Sequence, residues 1–239
     1  MPELTIASFN CHWAHRPSDG SPFDLDAVVE AFDTDVVVIQ EVWQPSEAPA
    51  VLAGAAERGG YRPIELALSP SYVEPNPEIT DRADLATGTW GVALLSRLPV
   101  LDTRFPDLGT WTTRFDVAAR RRAVVVDLDV GGTLVTVAAV HLSFVLPNAW
   151  AQLRRLDAAL PRDRPTVVVG DCNLWGPWAA RATRRRRAVR GRTWPAPRPH
   201  SQLDHVLVSP EVEVVDGRVL PEAGSDHLPI RATLRVAAS

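Results

Sequence analysis

The sequence predicts mixed α and β structure in which at least one pair of neighbouring strands is antiparallel. Short apolar, β-branched runs alternate with helix-like stretches along all 239 residues, which is the pattern of a chain that contains both helices and strands. Gly131 and Gly132 separate the run at residues 124–130 from the run at residues 133–137. A two-glycine connection favours a tight hairpin, so a purely parallel sheet is excluded.

The elements follow in chain order from local signals. Runs rich in Val, Ile and Leu predict strands, because β-branched side chains pack well on a pleated surface. Helix-like stretches lie at residues 24–32, 46–58 and 148–160, and Asn148 is suited to cap the last of these helices. The predicted strands cover residues 4–9, 36–40, 90–95, 123–130, 133–142, 166–169, 204–208 and 230–236.

Two stretches give no helix or strand signal. Residues 69–89 and residues 181–200 both contain several prolines, and the second also carries many arginines. We expect both to be long surface loops, a kind of segment that often shapes a substrate cleft.

The charges are distributed unevenly along the chain. Residues 1–119 carry 7 arginines and 18 acidic residues, whereas residues 120–239 carry 18 arginines and 11 acidic residues. The sequence has no lysine, so every basic side chain is a guanidinium. Planar, bidentate donors of this kind suit phosphate oxygens.

Length and apolar content predict the overall organisation. The 239 residues and 46% hydrophobic content suffice for a sizeable core, and we expect a single domain over residues 1–239. The first residues lack the features of a secretory signal, and no apolar run is long enough to span a bilayer. We therefore expect a soluble, cytoplasmic monomer.

The most informative motif is Gly170-Asp171-Cys172-Asn173, which directly follows the apolar run at residues 166–169. Alternate side chains of a strand share a face, so Asp171 and Asn173 should point into one cleft. The same alternation turns Cys172, and likewise Cys11, to the opposite face. We expect both cysteines to be buried free thiols.

Other polar groups also stand at the ends of apolar runs. Charged and amide groups at strand ends are costly to bury without partners, so their recurrence predicts one shared polar cleft. These groups are Asn10, Glu41, His141, Asp204, Asp226 and His227.

Carboxylate, amide and imidazole groups of this kind suit phosphoester hydrolysis. The reaction needs a divalent cation, an activated water and donors to the phosphoryl oxygens, on which charge develops in the transition state. Hard oxygen ligands favour Mg²⁺ or Mn²⁺, and only two cysteines argue against a structural zinc site.

The ordered motifs resemble those of the endonuclease/exonuclease/phosphatase superfamily, also called DNase I-like. The resemblance covers nearly the whole chain and implies an α+β fold, a four-layer α/β/β/α sandwich of two packed mixed, largely antiparallel sheets. The motifs are Asn10, Gln40-Glu41, His141-Leu142, Gly170-Asp171-Cys172-Asn173, Leu203-Asp204-His205-Val206-Leu207 and Ser225-Asp226-His227-Leu228-Pro229-Ile230.

The resemblance also implies roles for the metal and the water. Glu41 would be the principal ligand of Mg²⁺ (or Mn²⁺), with Asn10 nearby and Asp226 completing the shell directly or through water. Asp171 would orient or deprotonate the attacking water, and Asn173 would hold a phosphoryl oxygen.

The two motif histidines would serve the transition state. His227 would stabilise it or act as acid or base, with Asp204 or a neighbouring carboxylate fixing its tautomer. His141 would donate to a phosphate oxygen or to the leaving group, and imidazoles titrate near neutrality. The family varies in its general acid, so that assignment is open. His205 is out of phase with Asp204 and is interpreted as a packing residue.

The sequence indicates the substrate less specifically than it indicates the reaction. Arg184 and Arg187, from the arginine-rich stretch, and the tryptophans Trp175 and Trp194 are predicted to bind substrate. His12, His15 and His200 could line the rim but are not favoured as metal ligands. We expect a phosphodiesterase or nuclease acting on nucleic acid. The alternatives are a phospholipid or inositol-phosphate phosphoesterase, and a family member recruited to small-molecule biosynthesis or to non-catalytic binding.

Overall fold

The strands found in the computed structural model of the chain form two six-stranded sheets and one two-stranded sheet. The structure describes residues 1–45, 50–68, 88–110 and 121–237. In chain order the strands are β1 (Glu3–Asn10), β2 (Val36–Pro45), β3 (Arg62–Ala67), β4 (Gly88–Ser96), β5 (Val100–Arg104), β6 (Asp107–Gly109), β7 (Arg121–Arg122), β8 (Val124–Val130), β9 (Thr133–His141), β10 (Thr166–Asp171), β11 (Arg186–Arg187), β12 (Asp204–Val208), β13 (Val212–Val219) and β14 (Ile230–Val236).

Each large sheet is mixed, with mostly antiparallel pairs. The first has the order β13-β14-β1-β2-β4-β3, and only β1 and β2 are parallel. The second has the order β11-β12-β10-β9-β8-β5, and only β9 and β10 are parallel. The Gly131-Gly132 hairpin joins β8 to β9 as predicted. In both sheets the parallel pair is central, so its strand ends meet at one edge.

Within the described residues, four α-helices cover the outer faces of the two sheets, and a short 3-10 helix follows β1 at His12–Ala14. The α-helices are α1 (Leu25–Phe32), α2 (Ala53–Gly59), α3 (Leu146–Ala159) and α4 (Gly176–Thr183). Helices α1 and α2 share an apolar core with the first sheet, and α3 and α4 share one with the second. No helix of the described residues is both long and apolar enough to cross a membrane.

The largest apolar core lies between the sheets. Leu4, Ile6 and Val38 of the first sheet meet Val137 and Val167 of the second in one cluster of fully buried side chains. Burial of this kind is the main favourable term in folding, roughly 25 cal/mol per Å² of apolar surface. The expected α/β/β/α sandwich is confirmed.

Helix α1 begins after a residue whose side chain caps it, whereas helix α3 begins without a side-chain cap. Asp24 caps α1, since its Oδ1 accepts a 3.0 Å hydrogen bond from the N–H of Ala27. The prediction that Asn148 caps α3 was wrong, because Val145 occupies that position and Asn148 is buried within the helix. Pro147 favours the earlier start, since its fixed φ suits the first helical turn.

The loop prediction for residues 181–200 was wrong in part, because residues 188–200 lie outside helices and strands but residues 181–183 and 186–187 do not. The end of α4 and strand β11 lie in this stretch, and Arg185 is buried with its Nε 2.8 Å from Asp157 Oδ1 of α3. A buried carboxylate partner compensates an arginine that the sequence pattern places at the surface.

Two other predictions fall partly on residues that the structure does not describe. Of the predicted helix at residues 46–58, residues 46–49 lie outside the described part, and the helix observed is α2. Of the predicted loop at residues 69–89, residues 69–87 lie outside it, and residues 88–89 begin β4.

Candidate active site

The Asp171 carboxylate lies where β10 ends, at the edge of the space between the two sheets. Val167 and Val169 face the inter-sheet core, so alternation places Asp171 on that face too. The residue is 1% exposed, and its Oδ1 accepts a 2.8 Å hydrogen bond from the N–H of Asn173. Asn173 has a φ of +48° and places Nδ2 3.4 Å from Asp171 Oδ2. The motif therefore brings both side chains together as expected.

Gly170 lets β9 approach this carboxylate closely. Its φ is +136°, and a Cβ here would lie 2.1 Å from the carbonyl oxygen of Val140. Only glycine fits such a backbone contact. The resulting parallel register pairs Asp171 with His141, and His141 Nε2 lies 3.7 Å from Asp171 Oδ2.

A β-bulge turns Glu41 toward the same cleft. Val36 and Val38 of β2 face the inter-sheet core, so strict alternation would point Glu41 to the opposite face. The pairing of β2 with β4 shifts register at Glu41, which has a φ of +56°. Bulges commonly re-aim a side chain beside active sites. Glu41 Oε1 consequently lies 3.7 Å from His141 Nε2.

Asn10 joins the carboxylates of the two sheets. Its Nδ2 donates a 3.0 Å hydrogen bond to Glu41 Oε1 and a 3.2 Å hydrogen bond to Asp171 Oδ2. Its Oδ1 accepts a 3.1 Å hydrogen bond from the N–H of His12. The amide thus fixes the spacing between the proposed metal ligand and the proposed water-activating group.

His227 is held by Asp204, the first residue of β12. His227 Nδ1 lies 2.9 Å from Asp204 Oδ2, and both side chains are almost fully buried. Burial alone would lower the pKa of His227, but the charge and the hydrogen bond of Asp204, aided by Asp171 and Asp226, raise it to about 10. His227 is therefore a cation at neutral pH, and its Nε2 lies 3.9 Å from Asp171 Oδ2.

His141 has the opposite environment. Burial, aided by the positive charges of Arg121 and His227, holds its pKa well below the usual range. Its ring contacts the edge of Trp90, with centroids 5.5 Å apart, and the Arg121 guanidinium lies 4.9 Å from the centroid of that tryptophan. Its Nδ1 is buried and has no hydrogen-bond partner among the described residues. His141 is therefore neutral and held mainly by ring packing.

Asp171 titrates near neutrality. Burial raises its pKa to about 7, with Asp204 adding to the rise and His227 opposing it. A carboxyl group with such a pKa can take up and release a proton at physiological pH.

Asp226 stands at the mouth of the cleft, with its side chain 29% exposed. Trp194 Nε1 donates a 3.0 Å hydrogen bond to Asp226 Oδ2. The Ser225 hydroxyl donates a 2.7 Å hydrogen bond to the carbonyl of Asn10. The first bond ties the loop that carries Asp226 and His227 to the segment of Trp194, and the second ties it to the end of β1.

The donor set suits a divalent cation. Glu41 and Asp226 offer hard carboxylate oxygens on side chains that are 21% and 29% exposed, the chemistry that Mg²⁺ or Mn²⁺ prefers. A tighter group, Asp171, Asp204 and His227, has ligand atoms within 4.8 Å of one another. Because a hydrogen bond already joins His227 Nδ1 to Asp204 Oδ2, we interpret that group as holding protons.

The chemistry and fold described above agree with comparisons to known proteins. The sequence profile of the "Endonuclease/Exonuclease/phosphatase family" matches residues 7–227. The chain belongs to this family. Its members are phosphoester hydrolases.

Solved structures share the fold over almost the entire chain. An endonuclease/exonuclease/phosphatase from Beutenbergia cavernae DSM 12333 is 25% identical, with a TM-score of 0.78, over 99% of this chain and 72% of that one. Sphingomyelinase C from Streptomyces griseocarneus is 18% identical, with a TM-score of 0.68 and coverage of 98% and 99%. D. rerio TDP2, complexed with a single-strand DNA product, is 15% identical, with a TM-score of 0.66 and coverage of 98% and 99%. A comparison with curated proteins found no match.

Four exposed apolar side chains lie a few residues after His141 or Asn173 in the chain. Trp175 follows Asn173 and is 55% exposed, and Trp178 on the first turn of α4 is 48% exposed. Phe144 and Leu146, at the start of α3, are 58% and 47% exposed. We call these four residues the apolar rim.

The structure does not bring the two predicted substrate arginines into the polar cluster. Arg184 follows the end of α4 with a φ of +56°. Arg187 on β11 pairs with Leu207 of β12, and its Nη1 donates a 3.0 Å hydrogen bond to Gln202. Their role in substrate binding stays a prediction.

The remaining expectations concern residues on the outer faces. Cys11 and Cys172 are buried free thiols packed in the cores beneath the helices, as expected. His205 also faces outward, its Nε2 lies 2.8 Å from the carbonyl of Leu174, and burial lowers its pKa to about 4. It is a packing residue, as predicted.

Sequence reasoning missed two residues at the site, Trp90 and Arg121, and placed a third, His12, only at the rim. Trp90 shares the phase of Val92 and Leu94, which face the inter-sheet core, and this alternation could have identified it. His12 lies two positions after Asn10, beyond the end of β1, so strand alternation does not predict its direction. For Arg121 we find no comparable sequence signal.

Proposed function

We propose that the chain is a divalent-metal-dependent phosphodiesterase with single-stranded nucleic acid as its main substrate class. The observation that carries the proposal is the convergence of polar groups from distant parts of the chain at one end of the inter-sheet core. Together they offer oxygen ligands, a carboxyl that titrates near pH 7, an imidazolium and a neutral imidazole. The converging residues are Asn10, Glu41, His141, Asp171, Asp204 and His227.

Glu41, with Asp226 and Asn10, would hold Mg²⁺ or Mn²⁺. The cation supplies Lewis-acid stabilisation of the negative charge that develops on the phosphoryl oxygens. The bulge at Glu41 and the hydrogen bond from Asn10 fix the carboxylate in advance, so little reorganisation is needed during the reaction.

Asp171 would orient the attacking water and accept its proton. Two donors, the N–H of Asn173 and the amide of Asn10, hold the carboxylate in place. Its pKa of about 7 lies near the operating pH, where a general base is most effective.

His227, His141 and Asn173 would serve the phosphoryl group and the leaving group. His227 brings a positive charge, maintained by Asp204. The Nε2 of the neutral His141 faces Glu41 and Asp171, from where it can hold or transfer a proton. Asn173 lies beside Asp171 and would contact a phosphoryl oxygen.

The apolar rim supports nucleic acid as substrate. Bases stack on exposed aromatic rings with about 1–3 kcal/mol each and with little sequence preference. Trp175 and Trp178 present such rings beside the motif that carries Asp171 and Asn173. The resemblance in fold to a protein with bound single-strand DNA product is consistent with this assignment.

The decisive experiment is a hydrolysis panel with single-stranded DNA, RNA, duplex DNA and a generic phosphodiester, each with Mg²⁺, Mn²⁺ or chelator. We expect metal-dependent cleavage that falls at least about a hundredfold in Asp171→Asn and Glu41→Gln. Glu57→Gln, on the exposed face of α2, is the matched control and should match wild type. Activity that persists in chelator, or in both site variants, would contradict the proposal.

Phospholipid is the second candidate substrate. The observation that favours it is the exposure of the large apolar side chains Phe144 and Leu146 shortly after His141 in the chain, since exposed apolar groups can mark a membrane contact. A sphingomyelinase C shares the fold. Cleavage of sphingomyelin vesicles together with inactivity on nucleic acid would favour this candidate.

A further inference from the structure

One stretch of the chain carries many basic side chains and no acidic one. Residues 172–203, which join β10 to β12, contain eight arginines and neither aspartate nor glutamate. Elsewhere several arginines lie against carboxylates, as Arg58 does at 2.6 Å from Glu30. Within the stretch only Arg185 has such a partner among the described residues, Asp157 of α3. The charges of the other seven arginines are therefore not compensated by a described ion pair.

Part of this stretch runs along an edge of the second sheet toward the cleft. Arg187 lies on the edge strand β11, which pairs antiparallel with β12. The chain therefore continues toward Asp204, where β12 begins. Thr193 Oγ1 then accepts a hydrogen bond from the N–H of Asp204, and Trp194 Nε1 donates one to Asp226 at the cleft mouth. This segment thus leads from the edge of the sheet to the mouth of the cleft.

Three arginines are spaced along the segment. Arg190 and Arg192 are exposed, whereas Arg187 is half-buried. Arg187 Nη1 donates a 3.0 Å hydrogen bond to Gln202 and lies so close to Gly176, the first residue of α4, that a Cβ there would be 2.8 Å away. Its guanidinium is therefore held between α4 and the edge strand.

Two of these arginines act on each other, and no described carboxylate pairs with either. Partial burial, aided by the positive charge of Arg190, lowers the pKa of Arg187. A guanidinium remains charged despite such a shift. Like charges held near one another attract anions in a salt-dependent manner.

A nucleic-acid backbone suits this surface better than a membrane does. Guanidinium groups bind phosphate oxygens through paired hydrogen bonds, and a basic surface that ends at the cleft mouth can follow one strand. Basic surfaces that bind membranes also present large apolar side chains. Of the described residues, none of the exposed large apolar side chains falls within residues 187–194.

We infer that Arg187, Arg190 and Arg192 bind the phosphate backbone of single-stranded nucleic acid outside the catalytic cleft. We call these three residues the arginine track. The inference rests on the proposed function, because it concerns how the same substrate extends beyond the cleft. It assigns the side on which the strand leaves the cleft, and it predicts that strands long enough to reach the track bind more tightly.

The test measures binding of labelled oligothymidylate to the full chain by fluorescence anisotropy, in chelator so that metal-dependent cleavage does not occur. Strands of about 4 and about 20 nucleotides bracket the usual site sizes of single-strand-binding proteins. Wild type should bind the longer strand more tightly, and its Kd should rise with NaCl concentration. Each phosphate contact adds about 0.7 to the slope of log K against log salt.

The double variant Arg190→Gln/Arg192→Gln removes two exposed charges. It should bind the longer strand on the order of tenfold more weakly at low salt, with a slope reduced by about 1.4. Arg187→Gln should reduce the slope by about 0.7, and Arg187→Lys, which keeps the charge, should restore most of it. The Kd of the shorter strand should change less in every variant.

The matched control is Arg58→Gln/Arg62→Gln, which removes two charges from α2 and β3, beside the other sheet. It should retain the wild-type Kd and slope. Circular dichroism melts should show each variant folded, and if Arg187→Gln does not fold, the exposed pair decides. An unchanged slope in the track variants, an equal loss in the control, or wild-type affinity that is independent of strand length would overturn the inference.

Vesicles of phosphatidylcholine with phosphatidylserine form the second arm of the test. Sedimentation with vesicles that requires the track, without binding of either strand, would assign the surface to a membrane and overturn the inference. The hydrolysis panel separates the two proposals. If wild type cleaves strands with metal and the track variants bind them equally well, only the arginine track fails. If binding requires the track but wild type cleaves no phosphodiester with either metal, the proposed function fails and the track stands as a binding surface.

Discussion

The two histidines of the candidate site, His227 and His141, occupy the same cleft but different electrostatic surroundings. Their Nε2 atoms lie 3.9 and 3.7 Å from the same oxygen, Asp171 Oδ2. Asp204 holds the ring of His227 through a hydrogen bond, whereas Trp90, overlaid by Arg121, packs against the ring of His141. A carboxylate and a guanidinium thus act on two imidazoles that are otherwise equally buried.

The difference shows how one site can hold two protonation states of the same side chain. The pKa of His227 is raised to about 10 by Asp204, against the effect of burial, while burial and Arg121 lower the pKa of His141. At neutral pH one ring is a cation and the other is neutral. Titratable groups with separated pKa values are the usual basis for dividing acid, base and electrostatic roles.

Of the substitutions considered, the one that removes the charge of Asp204 should produce the largest loss of activity. In Asp204→Asn the amide oxygen can still accept the bond from His227 Nδ1, but the negative charge that raises the pKa of His227 is gone. We expect kcat/KM at pH 7 to fall on the order of a hundredfold to ten-thousandfold. The rates should be measured from pH 5 to 10, together with the NMR titration of His227.

Asp216→Asn, on the half-exposed edge strand β13, is the matched control and should leave both measurements unchanged. If Asp204→Asn lowers the pKa of His227 without loss of activity, the positive charge of His227 has no part in the reaction.

The next largest effect should come from a substitution that pushes β10 away from β9, the strands that carry Asp171 and His141. Gly170→Ala places a Cβ against the carbonyl oxygen of Val140, beside the pairing of His141 with Asp171. We expect a loss of at least about 3 kcal/mol in the free energy of unfolding, measured by urea titration. Gly20→Ala, which has a positive φ but open space around it, should lose only about 1–2 kcal/mol. Equal losses would show that strand proximity at Gly170 is unimportant.

The pH dependence of stability should distinguish the two imidazoles. The pKa of His227 is raised from 6.5 to about 10, so its stabilisation is complete below pH 6.5 and is lost as the pH rises through 10. The pKa of His141 is lowered, so its contribution is present above pH 6.5 and is lost as the pH falls. The first effect is on the order of a few kcal/mol.

The urea midpoints of His227→Gln and His141→Gln, measured from pH 5 to 10, test these two opposite pH dependences of stability. His227→Gln should flatten the alkaline decline, and His141→Gln should reduce the decline on the acid side. The reverse pattern would mean that the two charge states have been exchanged.

Sequence reasoning reached the fold and most of the site because strand alternation and strand-end polarity are local signals. Asp171 follows directly from the phase of β10. Glu41 was identified by its position at a strand end, although alternation alone would point it away, and only the bulge explains its direction. Trp90 was missed although its strand phase points it into the inter-sheet core, and Arg121 was missed because its role arises from contact with a segment distant in sequence. Arg185 was misassigned for the same reason, since its burial depends on Asp157 in another element.

Changing the aromatic support of His141 should have the smallest effect and tests that side of the comparison directly. Trp90→Phe keeps an aromatic ring near His141 but removes the larger surface on which Arg121 stacks. An aromatic contact contributes about 0.5–1.5 kcal/mol and a cation–π contact a similar amount, so we expect kcat to fall by less than about tenfold. KM should change little, because Trp90 acts through His141 and not on the substrate. The pKa of His141, followed by NMR, should move toward its ordinary value as Arg121 loses its fixed position. A rise in KM with unchanged kcat and an unchanged His141 titration would instead indicate that Trp90 lines the substrate site.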